Sequence, residues 1–386
     1  MRKYYQHVTL TVALFFLLSV SLGLAADKKQ YSTVPPTQAS KKWRIGYYEA
    51  GAYHNYPKTL IAIVNGLAVL GWIEPVSVPF TEGDKTTDKL WLWLSANIKS
   101  KYVEFPADAY YSYNWNKELR EKTKQTVLKR LKENRDIDLM IAMGTWAGQD
   151  LANNEHSVPT MVCSTSDPID SKIIKSAADS GYDHVHAHVD PTRYIRQIEA
   201  FHDIFDFKKL GVAFIDTDYG RSYAAIEDIR KIAKQRKFEI VECHTLPGTL
   251  TPEVATSVIK CAQEIAPKID AFYMTQQVGV NKETLPKILA AMNANKIPIF
   301  SQAGTDEVRR GVLLSIATPD FKLFGKFHAE TIAKIFNGAK PRELNQVSEM
   351  PAKIAFNKAA ARAADIRDDV YHLILKTADE VYEKIE

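Results

Sequence analysis

Short apolar runs alternate with amphipathic stretches along the chain from Trp43 onward, and this alternation limits the fold more than any other feature. "WRIGYY" predicts a strand, and "YPKTLIAIVNGLAVLGW" a helix with apolar residues three and four apart. "KYVEFP" predicts the next strand, followed by the helix "NKELREKTKQTVLKRLKEN". "IDLMIAMG" and "VPTMVCS" are two further strands around a short helix. The series then restarts. "TRYIRQIEAFHDIF" is a helix, and "KLGVAFID", "FEIVECHTL", "IDAFYMTQ" and "IPIFSQ" are strands with a helix between each pair. Strands separated by helices of this length form parallel sheets through right-handed crossovers. Two such series predict an α/β protein of two doubly wound parallel-sheet lobes, and 386 residues exceed what one core usually carries.

Open parallel sheets bind ligands at the carboxyl ends of their strands. Here those ends read "YYEAGAYHNY" (47–56), "GTW" (144–146), "STSDP" (164–168), "DTDYGRS" (216–222), "TQQVG" (275–279) and "SQAGTDE" (301–307). The turn at Gly144-Thr145 ends a strand and starts a helix, so its N–H groups and the Thr145 hydroxyl suit a polar or anionic ligand. Asp216 would meet an ammonium group, while Arg221 could clamp a carboxylate, with Tyr219 beside them. The alternative for that pair is a surface salt bridge.

The first residues follow the three-part pattern of a secretory signal. Arg2 and Lys3 precede a mostly apolar run from Val8 to Leu24, and Gly23 and Ala25 prepare a cut before Ala26. The alternative is an uncleaved anchor. Residues 26–42, with Pro35-Pro36 in a polar setting, read as a flexible leader. The expected location is therefore periplasmic or otherwise extracytoplasmic. Formal charge is +4, and +2 without Arg2 and Lys3, which leaves no electrostatic footprint for nucleic acid.

Catalytic signatures are mostly missing: there is no phosphate-binding P-loop, G-x-G-x-x-G, H-E-x-x-H or G-x-S-x-G. Ser164, Ser166 and Asp167 precede Pro168 and read as a turn rather than part of a triad. Asp216, Asp218 and Glu227 fit a calcium loop poorly, because the glycine is out of place and Arg221 adds the wrong charge. "DHVHAHVD" would place His184, His186 and His188 on one face of an extended segment, a weak zinc or copper candidate. Its alternative is a hydrogen-bonded strand crossing between lobes. The aromatic residues from Trp91 to Trp115 are mostly core material, with one or two left to face a ligand. Cys163, Cys243 and Cys261 leave one thiol over in any scheme; a Cys243–Cys261 pair and three free thiols both remain open.

The closing segment "GVLLSIATPDFKLFGKFHAETIAKIFNGAKPRELNQVSEMPAKIAFNKAAARAADI" resembles that of the ABC-transporter substrate-binding proteins related to the tryptophan/tyrosine-binding group. "IDLMIAMGTWAGQDLAN", "VPTMVCSTSDP" and "KLGVAFIDTDYGRS" are similar to that family's strand-turn elements, in the same order. The resemblance covers residues 43–75 and 135–370. It implies a type I periplasmic-binding-protein fold with three crossovers, near 168–186, 316–320 and 340–346. One lobe would be 43–168 plus 319–340, the other 186–316 plus 346–386. By position it assigns Thr145, Ser166 and Asp167 to the ligand face of the first lobe, and Asp216, Arg221, Gln276 and Gln302 to the second. Tyr47, Tyr53 and His54 lie in the usual specificity loop. The chain departs from the family in its long, aromatic 76–120 stretch, and in three histidines where a Gly-rich crossover is usual.

The expected function is capture of a small polar molecule, an amino acid or similar, by hinge closure, with no bond made or broken and no cofactor. The expected partner is an ABC permease, or a membrane sensor using the same module.

Overall fold

The structure, a computed structural model, describes residues 29–38, 41–81, 84–319, 321–349 and 352–386. The expected signal segment, residues 1–25, lies outside them. Among the described residues no helix is long and apolar enough to cross a membrane.

The first sheet contains β1 (Trp43–Glu49), β2 (Val103–Glu104), β3 (Tyr110–Ser112), β4 (Leu139–Met143), β5 (Thr160–Cys163) and β6 (Val185–Ala187). Its order is β2-β1-β4-β5-β6, with β3 continuing the β2 edge of β1. All of these pairs are parallel. β4 and β5 are fully buried apolar runs, as strands covered on both faces must be. The second sheet contains β7 (Lys209–Ile215), β8 (Glu239–Thr245), β9 (Ala271–Met274), β10 (Ile299–Ser301), β11 (Leu314–Pro319), β12 (Ala352–Asn357) and β13 (Glu380–Tyr382). It runs β13-β12-β11-β10-β9-β7-β8. β12 reverses against β11, so this sheet is parallel only as far as β11.

The strand order switches direction between β1 and β4 in one lobe, and between β7 and β9 in the other. A doubly wound sheet opens a crevice at such a point, where the flanking connections leave on opposite faces. Register brings Glu49, Met143 and Cys163 level, so Ala50, Gly144 and Ser164 emerge along one edge. Asp216, Thr275 and Gln302 emerge likewise from the second sheet, where Ala213, Met274 and Ser301 are level.

Two boundaries differ from the sequence expectation. Val185–Ala187 pairs with β5 and closes the first sheet, so it does not cross between lobes. Val347 bridges to Val189 and the Val189 N–H donates to Gln346 O at 2.8 Å, which keeps 341–348 beside the first lobe. The first passage therefore falls after Val189 rather than near 168–186, and the third after Ser348 rather than near 340–346. The helix Phe321–Phe336 packs Ala329, Ile332 and Phe336 into the first core. It crosses the helix Asn55–Val69 closely, because Gly66 and Gly325 leave no side chain between them.

The leader is not free. Ser32 O and Val34 O accept from Asn337 Nδ2 at 2.8 and 3.1 Å, and Thr33 O accepts from the buried Trp72 indole at 2.8 Å. The Tyr31 hydroxyl donates to Glu343 at 2.6 Å. A polar segment with no periodicity is thus fixed by its own carbonyls. Cys243 and Cys261 form a disulfide between β8 and the helix Pro252–Ile265, with Cα atoms 5.6 Å apart; Cys163 is free and buried.

Candidate functional site

The two crevices face each other, and side chains from both lobes meet there. Gln276 Nε2 donates to the Tyr53 hydroxyl across the gap. The Ser171 and Ser222 hydroxyls lie 3.2 Å apart, and the Tyr194 hydroxyl donates to Ser166 O at 3.5 Å. Tyr223 lies close to Thr145 and Tyr56.

Gly144 makes the first-lobe turn possible. It caps the helix Thr145–Leu151 at φ 89°, ψ 172°, a conformation open essentially to glycine alone. A β-carbon there would also meet the Tyr56 hydroxyl at 1.8 Å. The mouth of the turn is thus lined by Tyr56, Tyr223 and Thr145, two of which sequence reasoning missed. On the other side, Trp115 is pinned by N–H bonds to Ala50 O (2.6 Å) and from its indole to Ala52 O (3.0 Å). Asn114 and Trp115 both have positive φ, 50° and 61°, unusual for side-chain-bearing residues and common where a site fixes them. Trp115 meets Trp146 edge-on at 5.7 Å, and the Arg120 guanidinium covers Trp146 at 4.9 Å.

Other expected site residues are placed differently. Tyr47 is fully buried in the first core, stacked on Tyr110 at 5.5 Å, with its hydroxyl donating to Glu49 at 2.8 Å. Strand alternation sends it away from the cleft. Asp167 spends Oδ1 on the Ile169 and Asp170 N–H groups at 2.8 and 2.9 Å, capping its own turn. Asp216 and Arg221 pair with each other at 2.7 Å, both half-exposed and five residues apart. Arg221 holds the Asp216 carboxyl below its usual range. Tyr219 packs edge-on against Tyr223 at 5.9 Å.

His54 meets Tyr53 at a tilt, ring centres 4.2 Å apart, and burial depresses its imidazole to about 4. It stands at one end of a groove of about 850 Å³ bounded by Lys58, Thr305, Asp306, Lys326 and Tyr382. Glu307 lies nearby, its carboxyl pushed up to about 7 by burial while the Ser301 hydroxyl donates to it at 2.6 Å.

The three histidines do not converge. His184 packs on the His156 ring at 4.6 Å, while His186 and His188 donate from Nε2 to Asn345 O and Ser348 O, each at 2.9 Å. Among the described residues no three metal-ligating side chains are arranged to hold an ion. His186 and His188 tie β6 and the residue after it to the returning chain.

The family described as ABC transporter substrate binding protein matches residues 101–382. The chain belongs to that family. A curated relative, the tyrosine-binding protein of Clostridioides difficile, is 24% identical over 233 residues, 60% of this chain and 64% of the relative. The match therefore spans just under two thirds of that relative's length. Among solved structures, an ABC domain from Streptococcus pneumonia in complex with L-Trp has TM-score 0.65 at 18% identity, covering 88% of this chain and all of that one. A ligand-free, open substrate-binding protein with adhesive properties from Clostridium difficile has TM-score 0.62 at 17% identity, covering 89% of this chain and all of that one. These likenesses establish the fold, two facing α/β lobes of the type I periplasmic-binding kind.

Proposed function

We propose that this protein is an extracytoplasmic solute receptor that closes its two lobes on an amino acid or similar small polar molecule and delivers it to an ABC permease. The contact between Tyr53 of one lobe and Gln276 of the other carries the reading, because groups that meet across a crevice can both grip a ligand in it. Binding then stabilises the closed arrangement by its differential affinity for that state, with no covalent step. An aromatic solute is favoured by the Trp115–Trp146–Tyr223 lining, and by the names of the tyrosine-binding and tryptophan-bound relatives. No enzyme chemistry is needed, and the N-terminal pattern supports export.

The test is thermal unfolding of the mature protein, refolded to strip carried ligand, against amino acids, nucleosides, sugars and organic anions. A solute at about 100 times its dissociation constant adds roughly 2.7 kcal/mol. A shift with tyrosine or tryptophan supports the proposal; a shift confined to sugars or nucleosides overturns its amino-acid part.

A further inference from the structure

Arg193 opens the helix Arg193–Phe205 directly after the first passage between lobes. A guanidinium carries five N–H donors in a planar fork. Here it makes one long bond, 3.4 Å to Ala317 O, and rests 5.3 Å from the centre of the Tyr194 ring. Asp190, the nearest acid in sequence, is held instead by Arg196 through bonds of 2.8 and 3.1 Å. No described carboxylate forms an ion pair with Arg193. A cation in the first helical turn also opposes the helix dipole. Such an arrangement is unfavourable unless an anion joins it.

The surroundings supply the rest of an anion site. Tyr53, reaching over from the first lobe, is raised by burial, and the Arg193 charge acts against that rise, so the hydroxyl lies within the guanidinium's field. Its oxygen accepts from Gln276, which leaves its own proton to donate. Gln302 is 1% exposed; its Oε1 accepts from Gln276 N at 2.7 Å, and its Nε2 is buried without an acceptor. Arg193, bonded to Ala317 O of β11, and Gln302, just past the adjoining β10, thus stand at the same end of the second sheet, and Tyr53 reaches that end from the other lobe through Gln276.

We propose that Arg193, with Gln302 Nε2 and the Tyr53 hydroxyl, forms the subsite that takes the carboxylate of the captured solute. This rests on the receptor reading above, and it moves the carboxylate clamp from Arg221 to Arg193. Because Tyr53 belongs to the opposite lobe, carboxylate binding here also couples directly to lobe closure.

Calorimetry decides it with L-tyrosine and L-tryptophan, their amines tyramine and tryptamine, and the acids 3-(4-hydroxyphenyl)propionate and indole-3-propionate. The wild-type protein should bind the amino acids, retain measurable affinity for the acids, and bind the amines at least 100-fold more weakly. Arg193→Gln should lose at least 30-fold for the amino acids, with Arg193→Lys between the two, since lysine offers a point charge without the fork. Gln302→Glu keeps the acceptor for Gln276 and replaces the unspent donor with negative charge. It should weaken the carboxylate ligands at least tenfold and spare the amines, which gives a second reading should the arginine variants fold poorly. Equal binding of tyrosine and tyramine by the wild type, or unchanged affinity in Arg193→Gln and Gln302→Glu, overturns the subsite while leaving the receptor standing. Silence of the wild type toward the whole set overturns the aromatic amino-acid reading and the subsite argued from it together.

Discussion

Replacing Gly144 by alanine tests whether the first-lobe turn is built as described. Two costs add. The backbone at φ 89°, ψ 172° lies in a region that side-chain-bearing residues avoid, at about 1–3 kcal/mol. The new β-carbon would stand 1.8 Å from the Tyr56 hydroxyl oxygen, and 2.7 Å from the ring carbon that carries it. Tyr56 is 4% exposed and must move by more than an ångström to restore contact distance, which at overpacking rates costs about 1–3 kcal/mol more. The sum, about 2–6 kcal/mol, corresponds to a fall of about 5–20 °C in melting temperature for lobes of this size. Tyr56→Phe separates the two terms. It removes the nearest atom, and by itself should move stability little, because among the described residues the hydroxyl makes no hydrogen bond. In the double variant the steric part relaxes and the backbone part stays, so a double-mutant cycle should return a coupling of at least about 1 kcal/mol. Thermal and urea unfolding of the four proteins supply the numbers. A Gly144→Ala variant within 0.5 kcal/mol of wild type, or a coupling near zero, would refute the placement of Tyr56 over the turn.

Three further perturbations probe other parts of the molecule. Gly325→Ala would put a β-carbon 2.2 Å from Ala62 O in the facing helix, so the two helices must separate, at about 1–3 kcal/mol or more; an unchanged unfolding midpoint would contradict that crossing. His156 is 7% exposed, and burial followed by the neighbouring His184 charge depresses its imidazole to about 4. With an unfolded value near 6.5, its neutral form keeps full stability above about pH 6.5, and up to about 3 kcal/mol is lost as pH falls toward 4. His156→Gln should flatten that acid limb of the stability profile, and an identical slope in both proteins would exclude the assignment. Beginning the chain at Lys41 removes the carbonyl that Trp72 Nε1 donates to and opens an indole that is now fully covered; the melting temperature should fall and Trp72 fluorescence shift to the red, whereas no change in either would mean the leader is passive.

The two-lobe architecture was legible because its evidence is redundant: each buried parallel strand is a continuous apolar run, and each crossover a helix with its own period. What escaped was set by single contacts. β6 has three residues, Val185–Ala187, preceded by some twenty residues without a helix or strand, and so short a strand has no period to read. The leader was taken as free because polar segments usually are, yet Asn337 and Trp72 recognise its backbone carbonyls, which no side-chain pattern encodes.

The site shows the same division between place and partner. That ligand contacts should come from strand ends follows from topology, and Tyr53, Thr145, Gln276 and Gln302 do stand along those edges. Which charges remain available does not follow, because it depends on who neutralises whom. Asp216 and Arg221 looked like a clamp since they share a strand end, but lying five residues apart across one turn is what lets them satisfy each other. Arg193 and Arg196 look alike in "PTRYIRQ", and only the fold tells them apart, giving Asp190 to Arg196. A basic residue at the first position of a helix is placed against the dipole, but Lys117 and Lys358 open helices here too, so what marks Arg193 is that no described carboxylate pairs with it, which only the fold shows. On that reasoning an Arg193→Glu variant should bind no carboxylate solute, yet unfold at or slightly above the wild-type temperature. Lost stability would show that Arg193 holds the fold instead.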